Sequence, residues 1–144
     1  MTVKLSVPTS EKSAAAHGMF LPISMKAAVE ICGYLRGKKL ARAKTILENV
    51  IAEKQPIPYT RFNGDVGHRK GNIAAGRYPI KACTEILTVV KSAEANAQFK
   101  GLLAKDLVLK QICAKQGGKQ YRYGRHRGRR AKRTHIEVVV EEKK

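Results

Sequence analysis

The segment that most limits how this chain can fold is Lys115–Arg133, reading KQGGKQYRYGRHRGRRAKR. Its nine cations are Lys115, Lys119, Arg122, Arg125, Arg127, Arg129, Arg130, Lys132 and Arg133, and the segment holds no acidic residue. Gly117, Gly118, Gly124 and Gly128 punctuate it, and Tyr121 and Tyr123 alternate with its arginines. Such a stretch buries too little apolar surface to offset the entropy lost on ordering. Nine like charges also repel one another unless a polyanion neutralises them. The flanks argue against a free tail. Leu107–Cys113 is apolar and β-branched, while Thr134–Val140 alternates, with Ile136, Val138 and Val140 on one face. Two strand-like runs joined by a basic, glycine-punctuated connection read as a β-hairpin with long arms. A disordered tail needs no returning strand, and a localisation signal needs no Gly117-Gly118 pair at one arm.

The rest of the chain is basic as well. The formal charge is +18 over 144 residues, and half of it lies in the hairpin connection. Residues 1–114 carry 18 basic against 8 acidic side chains. A spike of charge on a broadly basic body suits a partner whose phosphates meet much of the surface. The length is that of one domain with one core. No apolar run approaches the roughly 20 residues that span a bilayer, and residues 1–18 lack the apolar centre of a secretory signal. Cys32, Cys83 and Cys113 are odd in number, widely spaced and set in apolar patterns, so they read as reduced, buried cysteines of a cytosolic protein.

Along the chain, residues 1–13 read as an irregular extension and residues 14–144 as a single domain that includes the hairpin at 107–140. Ala14–Leu21 is consistent with an edge strand ended by Pro22. Ser24 is placed to cap a helix over Met25–Arg36 whose Ala28, Ile31, Cys32 and Leu35 recur at helical spacing, and Gly37 stops it. A second helix follows from about Leu40 to Glu53, with Leu40, Ala43, Ile46, Leu47, Val50 and Ile51 on one face. Lys38, Lys39, Arg42 and Lys44 crowd its start, the unfavourable end for cations. A third helix runs from Pro79 to about Phe99, with Ile80, Cys83, Ile86, Leu87, Val90 and Ala97 as its apolar face.

Between the second and third helices, Gln55–Gly76 is a long loop rich in proline and glycine. Arg61, His68, Arg69, Lys70 and, just beyond, Arg77 stand there against Asp65 alone. One-sided charge on so long a loop marks it as a second RNA-touching element. Catalysis has little support. The four histidines are scattered, and His68 with Asp65 reads better as a phosphate contact than as an acid–base pair, since Arg69 and Lys70 adjoin it. Residues 64–71 lack the GxxxxGK[ST] pattern of a nucleotide-binding loop. Neither a metal-ligand spacing nor a cofactor motif is present.

Four stretches, in their order and spacing, carry a family resemblance from about Ala15 onward. They are Ile23-Ser-Met-Lys26 with the helix ending at Arg36-Gly37; Gly76-Arg-Tyr-Pro-Ile-Lys81; Ala93-Glu-Ala-Asn-Ala97 followed by Lys100-Gly-Leu102; and Arg125–Arg133 running into Thr134-His-Ile-Glu137. The chain resembles the universal L-twenty-two family of large-subunit ribosomal proteins. The insertion at residues 56–76, with Val66-Gly-His-Arg-Lys-Gly71, looks like its archaeal and eukaryotic branch, whereas the hairpin tip is shorter than in that branch and closer to the bacterial pattern.

The resemblance implies an α+β fold in which three helices pack on a small antiparallel sheet and a long β-hairpin protrudes. It implies binding to large-subunit rRNA, contact with neighbouring large-subunit ribosomal proteins, and a hairpin lying along the wall of the nascent-peptide exit tunnel. Carried onto this sequence, the arms are Leu107–Gln116 and Arg130–Val140. The tunnel-lining tip is Gln120, Tyr121, Arg122, Tyr123, Gly124, Arg125, His126 and Arg127. The expected role is structural, without enzymatic activity, metal, cofactor or membrane, in the large subunit of the cytoplasmic ribosome. A free-standing basic nucleic-acid-binding or RNA-chaperone protein using the same hairpin is the alternative, and an RNA-directed enzyme using Asp65 and His68 is remote.

Overall fold

The computed structural model describes residue 6 and residues 10–143, so most of the expected extension at residues 1–13 lies outside the described residues. The architecture is α+β. In chain order it runs β1 (Ser13–Leu21), α1 (Met25–Leu35), α2 (Leu40–Ile51), β2 (Ile57–Pro58), β3 (Gly76–Arg77), α3 (Ile80–Phe99), β4 (Leu107–Gln116) and β5 (Thr134–Glu142). β5 is the central strand of an antiparallel sheet ordered β1-β5-β4, and β2 pairs with β3 in a separate two-stranded ribbon. The expected edge strand and hairpin strands are therefore present. The second arm is regular only from Thr134, however, and Arg130–Arg133 precede the strand.

One face of the sheet carries the helices. α3 packs on β1 and β5, α1 lies against β4, and α2 packs on α3. Ile31, Leu35, Leu47, Ile86, Leu109, Ile112, Ile136 and Val138 fill the space between the layers, each fully buried. At roughly 1.5–3 kcal/mol per buried aliphatic side chain, this layer supplies most of the drive to fold. Gly18 lets β1 approach α3, since a Cβ there would stand 2.6 Å from a Val89 methyl. The turn after α1 covers the outer edge of β4: Gly37 N donates to Leu109 O (2.9 Å) and Leu109 N to Lys38 O (3.0 Å). Gly37 takes φ +76° there, which a side chain resists. That edge is thus closed to further strand pairing where the turn sits.

The helix faces depart from the sequence pattern in a few places. Ile80 is 38% exposed at the start of α3, and Leu87 and Ile51 are only half-buried against the core, while Ala82, Val89 and Ala93 are buried instead. Ser24 occupies the N-cap position of α1, but its side chain caps nothing. Of the cations crowding the start of α2, Lys44 is matched by Glu94 on α3 at 2.8 Å. Cys32 and Cys83 are buried, and burial pushes both thiols up to about 12. Cys113 is also free but only half-buried, on edge strand β4 opposite Glu137.

Candidate nucleic-acid interface

The hairpin ladder runs in register from Leu107↔Glu142 to Gln116↔Thr134. Beyond it the strands stay loosely joined. Gly117 N donates to Arg133 O (3.0 Å), Ala131 N to Gln120 O (2.8 Å) and Arg122 N to Arg129 O (2.9 Å), and a short 3-10 turn over Gly124–His126 closes the end. Every residue from Gly118 to Arg130 is exposed, which places Lys119, Gln120, Tyr121, Arg122, Tyr123, Gly124, Arg125, His126, Arg127, Arg129 and Arg130 in solvent. The Arg130 guanidinium sits 4.6 Å from the Tyr121 ring centroid and hydrogen-bonds its hydroxyl. Arg133 is half-buried and Lys132 exposed at the root of the loop.

Lys115 serves a different purpose. Its ammonium is 2.7 Å from Glu137, a carboxylate only 1% exposed on β5. Ser6 adds two hydrogen bonds to the same group, from its backbone N (2.5 Å) and from Oγ (2.7 Å). Burial alone pushes the Glu137 carboxyl up, but the bonds from Lys115 and Ser6 outweigh it and hold the group at about 2. Lys115 is therefore ion-paired within the protein, whereas among the described residues no salt bridge engages the cations from Lys119 to Arg133.

The second basic element is organised by another buried acid. Glu30 on α1, 5% exposed, accepts from Phe62 N (2.7 Å), Arg61 N (2.9 Å) and Thr60 N (3.2 Å). Three successive amides without a strand partner are thereby satisfied at one carboxylate. The loop then returns through the β2–β3 ribbon and a bridge between His68 and Ala75. Arg61, His68, Arg69, Lys70 and Arg77 are all exposed. Arg69 is partly committed to the loop itself, since its Nε donates to Gly76 O (3.1 Å) and its guanidinium lies 5.1 Å from the Tyr78 centroid. Asp65 and His68 are both exposed, and among the described residues no hydrogen bond joins them.

The two basic elements meet on one side of the body. An open cleft of about 670 Å³ is lined by Arg61 and Arg77 from the loop, Lys26 from α1 and Lys132 from the hairpin root. A second, of about 700 Å³, lies between Pro22 and Lys81 of the body and Arg122, His126, Arg130 and Arg133 of the hairpin connection. Lys119 shares a third with Lys26, Lys132 and Arg133. The N-termini of α1 and α3 open onto these clefts, and neither has an acidic residue in its first turn. Helix N-termini add partial positive charge and free N–H donors to such a surface. Arg125, Arg127 and Arg129 stand at the outer end of the loop.

Lys26, Lys81, Phe62 and Tyr78 take part in this surface although sequence patterning did not single them out. The two lysines lie in the first turns of helices, where isolated charges look like ordinary solvated residues. The sequence profile described as "Ribosomal protein L22p/L17e" matches residues 16–141. The chain belongs to that family. Among its L22p/L17e relatives, the large ribosomal subunit protein uL22 of Ignicoccus hospitalis is 42% identical over 142 residues, spanning 92% of this chain and 89% of the relative. Those of Methanocaldococcus jannaschii and Archaeoglobus fulgidus are each 42% identical, over 92% and 90% of this chain and 89% and 88% of their own lengths. Membership joins the hairpin and both basic elements in one family unit, since the matched region runs from β1 nearly to the end of β5. No helix among the described residues is long and apolar enough to cross a membrane, and no group of three or more His, Cys, Asp or Glu there could hold a metal ion.

Proposed function

We propose that this protein is a structural constituent of the large ribosomal subunit that binds large-subunit rRNA and lines the nascent-peptide exit tunnel with residues 120–127. The observation that carries the reading is the convergence of two basic elements, from distant parts of the chain, around Lys132. Residues 14–144 act as one domain preceded by an extension. The body element (Arg61, His68, Lys70 and Arg77) docks on phosphates, with Arg69 bracing the loop. The hairpin cations from Lys119 to Arg133 follow the RNA outward. Binding is electrostatic, through neutralised phosphates and released counterions, and the exposed hairpin loop takes its final path from the RNA channel that receives it. Neighbouring ribosomal proteins and the nascent polypeptide are the remaining partners, in the cytoplasmic ribosome. No catalytic step is assigned to any residue.

Subunit incorporation tests this division of labour. Deleting Gln120–Arg127 leaves the body and hairpin root intact, so the variant enters large subunits while passage or stalling of nascent chains changes in translating extract. Ile31→Asp puts unpaired charge into the core and, combined with Leu87→Asp at the core's half-buried edge, abolishes incorporation. Exclusion of the tip deletion as complete as that of the core variant would overturn the assignment.

A further inference from the structure

We propose that the cleft between the Glu30-held loop and the start of α1 takes a single unstacked nucleotide of RNA, its base against Phe62 and Tyr78 and its phosphate among Arg61, Arg77, Lys26 and Lys132. This rests on the RNA-binding reading above and adds what that reading leaves open, the form of RNA that one part of the surface selects.

The cleft, about 670 Å³, falls in the range of sites that enclose small organic groups, about 300–1,000 Å³. Its walls are of two kinds. The rings of Phe62 and Tyr78 are half-buried and keep part of their surface in the cleft, beside Val66 and Pro79. Around them stand four cations, and among the described residues no carboxylate lines the space. A phosphate alone would leave the aromatic wall unused. A paired duplex would leave it unused too, because its bases are stacked and offer only their edges. A nucleotide turned out of its stack satisfies both walls at once, with a π-face for the rings and a charge for the rim.

The rings are also held in advance. Phe62 N is bonded to Glu30 at 2.7 Å, and the ring has Arg61 Cζ at 5.6 Å and Lys26 Nζ at 5.7 Å from its centroid. Tyr78 is braced by Arg69. Little ordering remains to be done when the base arrives. Tyr121 and Tyr123 differ in this respect: they are 62% and 95% exposed on the hairpin loop, and Tyr123 borders the neighbouring cleft of about 700 Å³ without being half-buried against the body as Phe62 and Tyr78 are.

The test compares two RNA probes of equal length and phosphate number, a fully paired hairpin and the same hairpin with one bulged 2-aminopurine. The intact protein is expected to bind the bulged probe about tenfold more tightly, with a change in 2-aminopurine fluorescence on binding. Phe62→Leu with Tyr78→Leu keeps the wall apolar but removes stacking, and is expected to bring the bulged probe down to the level of the paired one without altering the salt dependence of either. Tyr121→Leu with Tyr123→Leu is expected to keep the preference. Equal affinity of the unaltered protein for both probes overturns the proposal without recourse to any variant, as does a preference that follows the hairpin tyrosines. In either case salt-dependent binding to RNA survives and the broader reading stands. Absence of salt-dependent binding to both probes removes the broader reading and this one together.

Discussion

The loop at residues 55–76 and the hairpin connection at residues 117–133 carry excess charge of the same sign, yet they meet solvent in different states. The loop is shaped by the protein: Glu30 gathers three of its amides, a two-stranded ribbon closes it, and Arg69 braces its end. The connection has only its own few cross-strand bonds and lies in solvent from Gly118 to Arg130. Each is fastened near its root by one buried carboxylate. Glu30 binds backbone donors and so fixes the path of the chain. Glu137 binds Lys115 and Ser6, fixing the base of the hairpin and leaving its far end alone. The contrast separates a basic surface shaped by the protein from one that, under the proposed function, the RNA completes.

The most severe way to break the contrast is to remove the acid under the loop. Glu30→Ala leaves three amides without their acceptor, and a loss of about 2–4 kcal/mol is expected by denaturant unfolding. Hydrogen exchange should accelerate at Arg61 and Phe62 while the hairpin ladder stays protected. If those two amides remain protected in the variant, Glu30 does not shape the loop.

Glu137→Gln probes the other acid and has a pH signature. The Glu137 carboxyl is held at about 2 in the folded chain against an ordinary value of 4.5. Its contribution to stability is therefore full above about pH 4.5 and is lost as the pH falls toward about 2. The expected loss near neutral pH is about 1–3 kcal/mol, reduced by solvent screening because the Lys115 side chain is half exposed. Unfolding curves of the two proteins should converge on acidification, and a constant gap down to pH 2 would contradict the assignment.

A gentler change compares the charges. Neutralising Arg61, Lys70 and Arg77 together should weaken binding to an rRNA fragment and flatten its salt dependence by up to about one unit of slope per lost contact. An unchanged slope would make the loop ordinary solvated surface. The smallest expected effect is on the free protein. Amides from Tyr121 to Arg129 should exchange almost without protection in the absence of RNA, and deleting Gln120–Arg127 should shift stability by less than about 0.5 kcal/mol. Strong protection there would mean that the connection, like the loop, is shaped by the protein.

What could be read from residues alone follows from what periodicity reports. Helical spacing placed α1, α2 and α3 within a residue or two, and the basic run between apolar flanks placed β4 and β5. The same pattern set Glu137 on a solvent face, because Ile136, Val138 and Val140 alternate around it. Val138-Val139-Val140 was the available warning. A continuous apolar run marks a strand covered on both sides, and Glu137 and Val139 are buried like their neighbours. Glu30 was invisible for a related reason: one acid in a helix looks solvated until the amides that need it are known. Ile80 errs the other way, its apolar side chain lining a cleft beside Pro22 and Lys132. The basic residues themselves were legible, but their meeting around Lys132 was not, since it depends on how α1 and α3 are set against the hairpin root.

The strand order β1-β5-β4 has a consequence for the order of events at synthesis. β1 and β4 are not neighbours in the sheet; the strand that each pairs with there is β5, the last of the three to be made. Until Thr134–Glu142 has emerged, Ser13–Leu21 and Leu107–Gln116 both lack the partner for the backbone donors and acceptors that face β5. The helices can form meanwhile, but they have no finished sheet to pack on. Closure is then a single late insertion that joins residues more than a hundred positions apart, the kind of contact that slows folding. A chain interrupted within the basic connection holds all three α-helices and most of the cations, yet lacks the strand that makes them one body.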